Sequence, residues 1–212
     1  MTTPSTPYAA RLEIDYPEKL DRFTSFFRVI WIIPILVILS LLTATGNETV
    51  ARAGEHIRRS GLGITGGLFL ATMLMIVFRV RYPRWWFDFA RELLRFSTRV
   101  AAYLFLLTDQ YPSTVDEQAV HLEFDYPDVE RDLNRWLPLV KWLLAIPHYI
   151  VLAILCAIAV VVWVIAWFTI LFTGRYPRAL FDYVVGVGRW GMRVAAYASL
   201  LVTDVYPPFS LR

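Results

Sequence analysis

The chain has 212 residues, of which 57% are hydrophobic, 16% aromatic and only 18% charged, with a formal net charge of +3. A soluble domain carries roughly a quarter charged residues, so the composition argues against one. The basic residues flank apolar segments, a pattern of membrane orientation rather than of nucleic-acid binding.

Residues 1–10 are polar and rich in Pro and Thr. They lack a basic region followed at once by an apolar one, so no cleavable signal peptide is expected and the segment reads as a disordered tail. Cys156 is the single cysteine, which excludes an intramolecular disulfide.

Residues 11–112 form a first unit. It opens with Leu12, Ile14 and Tyr16 alternating with Glu13 and Asp15, a period of two that predicts a short strand. Apolar runs at about 28–43 and 62–78 predict two spans, separated by the polar insert Thr43 to Gly61. Arg81-Tyr82-Pro83-Arg84 then introduces an amphipathic helix at about 84–107. Its charges Asp88, Arg91, Glu92, Arg95 and Arg99 fall at spacings of one helix face. Aromatic and apolar residues, Trp85 and Trp86 first among them, cover the rest.

Residues 113–121 read as a linker, and residues 122–212 repeat the order of parts. Leu122 to Pro127 matches Leu12 to Pro17, and Ile146-Pro147 matches Ile33-Pro34. Arg175-Tyr176-Pro177-Arg178 matches Arg81 to Arg84, and Thr203-Asp204 matches Thr108-Asp109. Here the apolar run extends from Leu143 to Phe172 without a polar break, about 30 residues. That is long for one crossing, so two spans are expected, at about 139–156 and 158–173, with a tight turn between. A charge-striped helix at about 178–203 follows, carrying Asp182, Arg189 and Arg193. The strand segments are expected to pair with each other or with residues 209–211, because isolated strands are marginal.

The fold class expected is therefore an all-α integral membrane protein of two homologous halves. Each half is an apolar transmembrane hairpin followed by an amphipathic charged-stripe helix, with a short β-strand segment before each hairpin. With four spans and both termini cytoplasmic, 18 of the 21 Lys and Arg residues lie on the cytoplasmic side, as orientation by basic residues requires. The alternative has six spans, with the charged helices crossing and the halves inverted, a transporter feature.

Arg91, Arg95, Arg99, Arg189 and Arg193 are the candidates for binding anionic lipid headgroups. Asp88 and Asp182 are the candidates for structural ion pairs with them. Tyr82, Trp85, Trp86, Tyr176 and Trp190 are expected to anchor the chain at the headgroup level, where an amphipathic ring is half buried. Pro in the Tyr-Pro pairs suits the first turn of a helix. His148 reads as a hydrogen-bonded structural histidine. The three histidines are far apart in sequence, and no cluster suggests zinc. No phosphate-binding loop, dinucleotide fingerprint or nucleophile elbow occurs, so neither a cofactor nor a metal is expected.

The string Ile146-Pro147-His148, Phe172-Thr173-Gly174-Arg175-Tyr176-Pro177, Arg189-Trp190, Arg193-Val194, Ala196-Tyr197 and Thr203-Asp204 through Phe209 resembles the bacterial membrane family known as domain of unknown function 4389. The resemblance covers about residues 120–210. The first half looks like a diverged second copy, with Val80 in place of Gly174 and Ser113 in place of Pro208. It implies a bacterial protein and no particular activity. The expectation is a non-catalytic multi-pass protein of the bacterial cytoplasmic (inner) membrane, an accessory or scaffolding component. Its partners would be the lipid bilayer, anionic lipids, and further copies or other membrane proteins, and no nucleic acid. The alternative is a small transporter or channel built from two inverted halves.

Overall fold

The computed structural model describes residues 8–43, 47–52, 55–60, 64–114, 116 and 118–212. Residues 1–7 of the expected tail, the start of the predicted 62–78 span and parts of the insert and linker lie outside the described residues.

The chain is mostly helical. Strand β1 (Ala10–Ile14) leads into α1 (Arg22–Trp31) and α2 (Ile33–Thr43), which are bent by 40° at Ile32. The insert forms an antiparallel ladder of β2 (Asn47–Arg52) and β3 (Glu55–Ser60). Helix α3 (Ile64–Leu74) runs into a π-helical turn, Met75–Arg79, and α4 (Arg84–Leu104) follows. The second half contains β4 (Val120–Phe124), α5 (Val129–Asp132), α6 (Pro138–Leu144), α7 (Ile146–Thr173) and α8 (Arg178–Ala198).

Local chemistry explains the helix boundaries. The Asp21 carboxylate accepts from the backbone N–H groups of Phe23 and Thr24 and so caps α1, a contact worth about 1 kcal/mol. Pro83 and Pro177 stand immediately before α4 and α8, where a missing N–H costs nothing. Pro34 and Pro147 are the second residues of α2 and α7. Gly174 ends α7 in the left-handed conformation, at φ +71°, which a glycine adopts without steric cost. Val80 ends the π-helical turn at φ +50°, where a β-branched side chain is strained.

The expected hairpin of spans 139–156 and 158–173 is corrected by α7, which is one continuous helix of 28 residues. The physical reason lies in its sequence. No Gly, Asn or Asp lies between Ile146 and Thr173, and a tight turn there would strand backbone polar groups that a helix satisfies internally. Part of the expected 139–156 span is instead the short α6, separated from α7 at Ala145.

The first half follows a comparable path. Ile32, Ile35 and Leu39 pack with Phe96, Val100 and Tyr103, on the C-terminal half of α4. Trp86, near the start of α4, donates to Thr72 of α3 at 2.8 Å. Thr43, at the end of α2, shares one small cavity with Leu68 and Phe69 of α3. Helices α2 and α3 therefore continue in one direction along α4, antiparallel to it, and do not fold back on each other as a hairpin. Helix α7 is likewise antiparallel to α8. Ala145 and Leu155 cluster with Trp190, Val194 and Tyr197, and the Tyr183 hydroxyl donates to the Leu155 carbonyl at 3.0 Å.

Strands β1 and β4 pair antiparallel, Leu12 opposite Leu122, so the two halves of the chain satisfy each other's strands. The inward side chains Ala10, Leu12, Val120, Leu122 and Phe124 are buried. Strand β1 packs on α8 and β4 on α4. The result is three layers. The β1–β4 ladder lies outermost, α4 and α8 form the middle, and the long apolar helices lie beyond.

Candidate functional site

Four of the five candidate arginines, Arg95, Arg99, Arg189 and Arg193, donate to backbone carbonyls, and Arg91 pairs with carboxylates of its own helix. Arg95 donates through Nε to the Leu122 carbonyl at 2.7 Å, and Arg189 through Nε to the Leu12 carbonyl at 2.9 Å. Each therefore clamps the strand that belongs to the other half. Arg99 donates to the Ser113 carbonyl at 2.6 Å. Arg193, itself buried, donates to the carbonyls of Ser210 at 2.9 Å and Arg212 at 2.6 Å and holds the C-terminal segment on α8. Arg91 pairs with Asp88 at 3.2 Å, and its guanidinium stands over the Phe87 ring. Asp182 meets Arg178 at 3.5 Å on the exposed surface. Neither aspartate pairs with Arg95, Arg99, Arg189 or Arg193. A stripe spaced for one helix face was legible in the sequence. Its partners were not, because carbonyls of a distant strand carry no sequence signal.

The expected headgroup anchors also divide. Trp85 is 69% exposed. Tyr82 and Tyr176 are buried core residues, each with an edge-to-face contact to the phenylalanine that follows it, Phe87 or Phe181. Their backbone carbonyls accept from the hydroxyls of Tyr126 and Tyr16. The rings point inward because these Tyr-Pro turns close short connections between packed helices. Trp86 is half-buried against α3. Trp190 is buried and donates Nε1–H to Nδ1 of His148 at 3.0 Å, while the His148 ring stacks on Phe209 at 4.0 Å. His148 is thus a hydrogen-bonded histidine packed among aromatics.

Two buried cation sockets were not anticipated. Arg28 forms an ion pair with Asp109, donates to the carbonyls of Tyr103 at 3.0 Å and Thr108 at 2.6 Å, and lies over the Tyr103 ring. Lys141 pairs with Asp204 at 2.7 Å, donates to the Thr203 carbonyl at 2.7 Å and lies over the Tyr197 ring. Burial pushes the Lys141 ammonium below its ordinary pKa, and the Asp204 carboxylate opposes that shift. A signal did exist. Each cation stands five residues before an Ile-Pro, and each carboxylate belongs to a Thr-Asp pair.

A different basic cluster is unspent. Lys19, Arg22 and Arg175 line a concavity of about 420 Å³ with Leu20, Thr173 and Gly174 at the C-terminal end of α7. All three cations are exposed. The Leu20 N–H donates to the Gly174 carbonyl at 2.9 Å, which ties the α1 approach to this loop. The Arg22 guanidinium lies against Gly174. Among the described residues none of the three forms an ion pair, and exposed Phe23 and Phe172 stand beside them in sequence. A second, apolar cavity of about 400 Å³ lies between β1, α4, α7 and α8, with Leu12, Ala101, Leu152, Cys156, Gly188 and Gly191 in its wall. Among the described residues no group of three or more His, Cys, Asp and Glu side chains is placed to hold a metal ion.

Comparison with curated proteins and with solved structures gives no match. Residues 136–210, from the segment before α6 to the C-terminal tail, match the family model described as Domain of unknown function (DUF4389).

Proposed function

We propose that this chain is a non-catalytic membrane-embedded scaffold, built as a tandem of two copies of the unit matched at residues 136–210. The observation that carries the membrane reading is α7. It is 28 residues long, its best window has a mean hydropathy of 3.0, and only 17% of that window is buried in the protein. A core helix of a soluble protein is mostly buried. Here Ile150, Ile154, Ile158, Val161, Ile165, Phe168 and Phe172 stand exposed along one side, a contiguous apolar face far beyond what a soluble surface carries.

The tandem reading is supported by contacts that occur twice in corresponding places. Arg95 and Arg189 clamp opposite strands, Arg28 and Lys141 fill the two sockets, and the Tyr126 and Tyr16 hydroxyls reach the Tyr82 and Tyr176 carbonyls. The non-catalytic reading is supported by where the buried cations go. Arg28, Lys141 and Arg193 donate to main-chain carbonyls and so hold segments together.

Anionic lipid remains the proposed partner, with further copies or other membrane proteins beside it. The contact moves from the arginine stripes to Lys19, Arg22 and Arg175, the free cations at the end of the apolar helix. Clustered cations near the surface attract anionic headgroups by about 1 kcal/mol each. The test is lipid co-purification from a bacterial membrane. Arg22→Glu with Arg175→Glu is expected to strip bound anionic lipid. Arg95→Ala with Arg189→Ala is expected to weaken the fold and leave lipid content per folded molecule unchanged. Unaltered lipid in the first variant, or selective loss in the second, refutes the assignment.

A further inference from the structure

The middle layer of the fold separates two surfaces of opposite chemistry. Helix α8 meets β1 through Gly188, against the Leu12 side chain, and through Arg189, on the Leu12 carbonyl. It meets α7 through Tyr183, Trp190, Val194 and Tyr197. At 100° per residue these two sets lie on opposite sides of the helix. In the first half, Arg95 of α4 meets β4, while Phe96, Val100 and Tyr103 meet α2 and Trp86 meets α3. Both long apolar paths therefore lie on the side away from the β1–β4 ladder.

The outer face of that ladder is ionic. Arg11 pairs with Asp125 at 2.7 Å and with Glu123 at 3.4 Å, and His121 faces Asp15 at 3.4 Å. Every one of these side chains is more than a third exposed. A two-stranded ladder also leaves two unpaired edges, and Arg95 and Arg189 satisfy one carbonyl on each strand. The remaining edge groups need water, because open sheet edges do not occur against hydrocarbon.

These observations conflict with a crossing orientation of α7. Helix α8 has 21 residues and is about 31 Å long, close to the roughly 30 Å of a hydrocarbon core. It runs antiparallel beside α7. If α7 crossed the bilayer, α8 would fill its depth, and the ladder, seated at Gly188 and Arg189 in the middle of α8, would lie at the centre of the slab. Its five charged and titratable side chains and its two edges would then face acyl chains.

We infer that α7 lies along the membrane within a single leaflet, with acyl chains against its exposed apolar side and the β1–β4 ladder in water. The inference rests on the proposed membrane embedding and makes the chain a one-sided membrane protein. The exposed residues of α1 and α2, such as Phe23, Phe26, Ile30, Ile33, Val37 and Leu41, belong to the same immersed surface. An amphipathic helix lies about 5–10 Å into the headgroup and acyl boundary; α7 has no charged residue of its own, and its water-facing side is supplied by α8 and the ladder packed behind it.

The experiment uses the full chain with Cys156→Ser and single substitutions Arg131→Cys, Glu123→Cys and Arg175→Cys. Sealed vesicles of both orientations are labelled with an impermeant maleimide. The sites flank α7 on either end and mark the ladder. All three are expected to label in one vesicle orientation and none in the other. Labelling of the Arg131 and Arg175 sites from opposite sides overturns the inference and favours a crossing helix with the transport reading. A second measurement covers the case in which these variants misfold. Nitroxides at Ile146→Cys, Ile158→Cys and Phe172→Cys, each with Cys156→Ser, report depth through oxygen and nickel accessibility. Equal shallow depths support the one-leaflet position, and a maximum at the Ile158 site with shallow ends overturns it. Release of the wild-type chain from vesicles by alkaline carbonate would instead refute the membrane embedding itself.

Discussion

Replacing Lys141 by Met removes the only charged donor in a closed socket. The ammonium is fully buried, 2.7 Å from the Asp204 carboxylate and 2.7 Å from the Thr203 carbonyl. Met fills similar space and supplies no proton, so the carboxylate keeps its burial and loses its counterion. Removing one partner of a buried pair costs about 3–5 kcal/mol, a large share of a typical total stability of about 5–15 kcal/mol. Arg11→Ala, in the exposed Arg11–Asp125 pair, is the control, expected to cost about 0.2–1 kcal/mol. The assay is urea unfolding of the detergent-solubilised protein followed by tryptophan fluorescence, with Trp136 and Trp142 close in sequence as reporters. Lys141→Met with Asp204→Asn is expected to be more stable than Lys141→Met alone by about 1 kcal/mol or more, because the orphaned charge is gone. A Lys141→Met variant within about 1 kcal/mol of the parent, or a double variant no better than the single one, refutes the socket as a source of stability.

Three further outcomes follow from single positions. Val80→Gly is expected to stabilise the chain by about 1 kcal/mol, since it relieves a left-handed valine, whereas Gly174→Val should cost about 1–2 kcal/mol at the corresponding turn; thermal melts of the two variants read both signs. Gly186→Ala would place a Cβ 2.8 Å from the Leu211 carbonyl oxygen, so the tail should lift at a cost of about 1–3 kcal/mol and residues 205–212 should be trimmed faster by protease. Arg189→Ala, which frees the Leu12 carbonyl, is expected to weaken β1 by about 1.5–3 kcal/mol, seen as faster amide exchange over Ala10–Ile14 and not at β2–β3.

The order of parts along the chain was legible because it is carried by local chemistry. Alternation of Leu12, Ile14 and Tyr16 with charged residues marked a strand that forms, and the pairing of the two strand segments with each other is found as Leu12 opposite Leu122. The Tyr-Pro-Arg motifs marked the starts of α4 and α8, since proline stops one backbone path and permits the next. Legibility failed where length was used in place of turn chemistry. A run of about 30 apolar residues suggested two spans, yet without turn residues it forms one helix. The partners of the arginine stripe were illegible for a different reason. Arg95 and Arg189 bond to carbonyls 27 and 177 residues away in sequence, and spacing along one helix cannot name a partner on another element.

By itself the sequence determined the helical class, the matching motifs of its two halves and the position of its long apolar segments. Those properties are sums of local preferences, readable from composition and period. Only the tertiary structure decided that α2 and α3 continue along α4, that Lys141 and Arg28 are spent inside sockets, and that Lys19, Arg22 and Arg175 remain free. It also decided that the charged ladder and the apolar helices lie on opposite sides of α4 and α8. These depend on which distant groups meet, and a side chain's role follows from the partner that burial assigns to it.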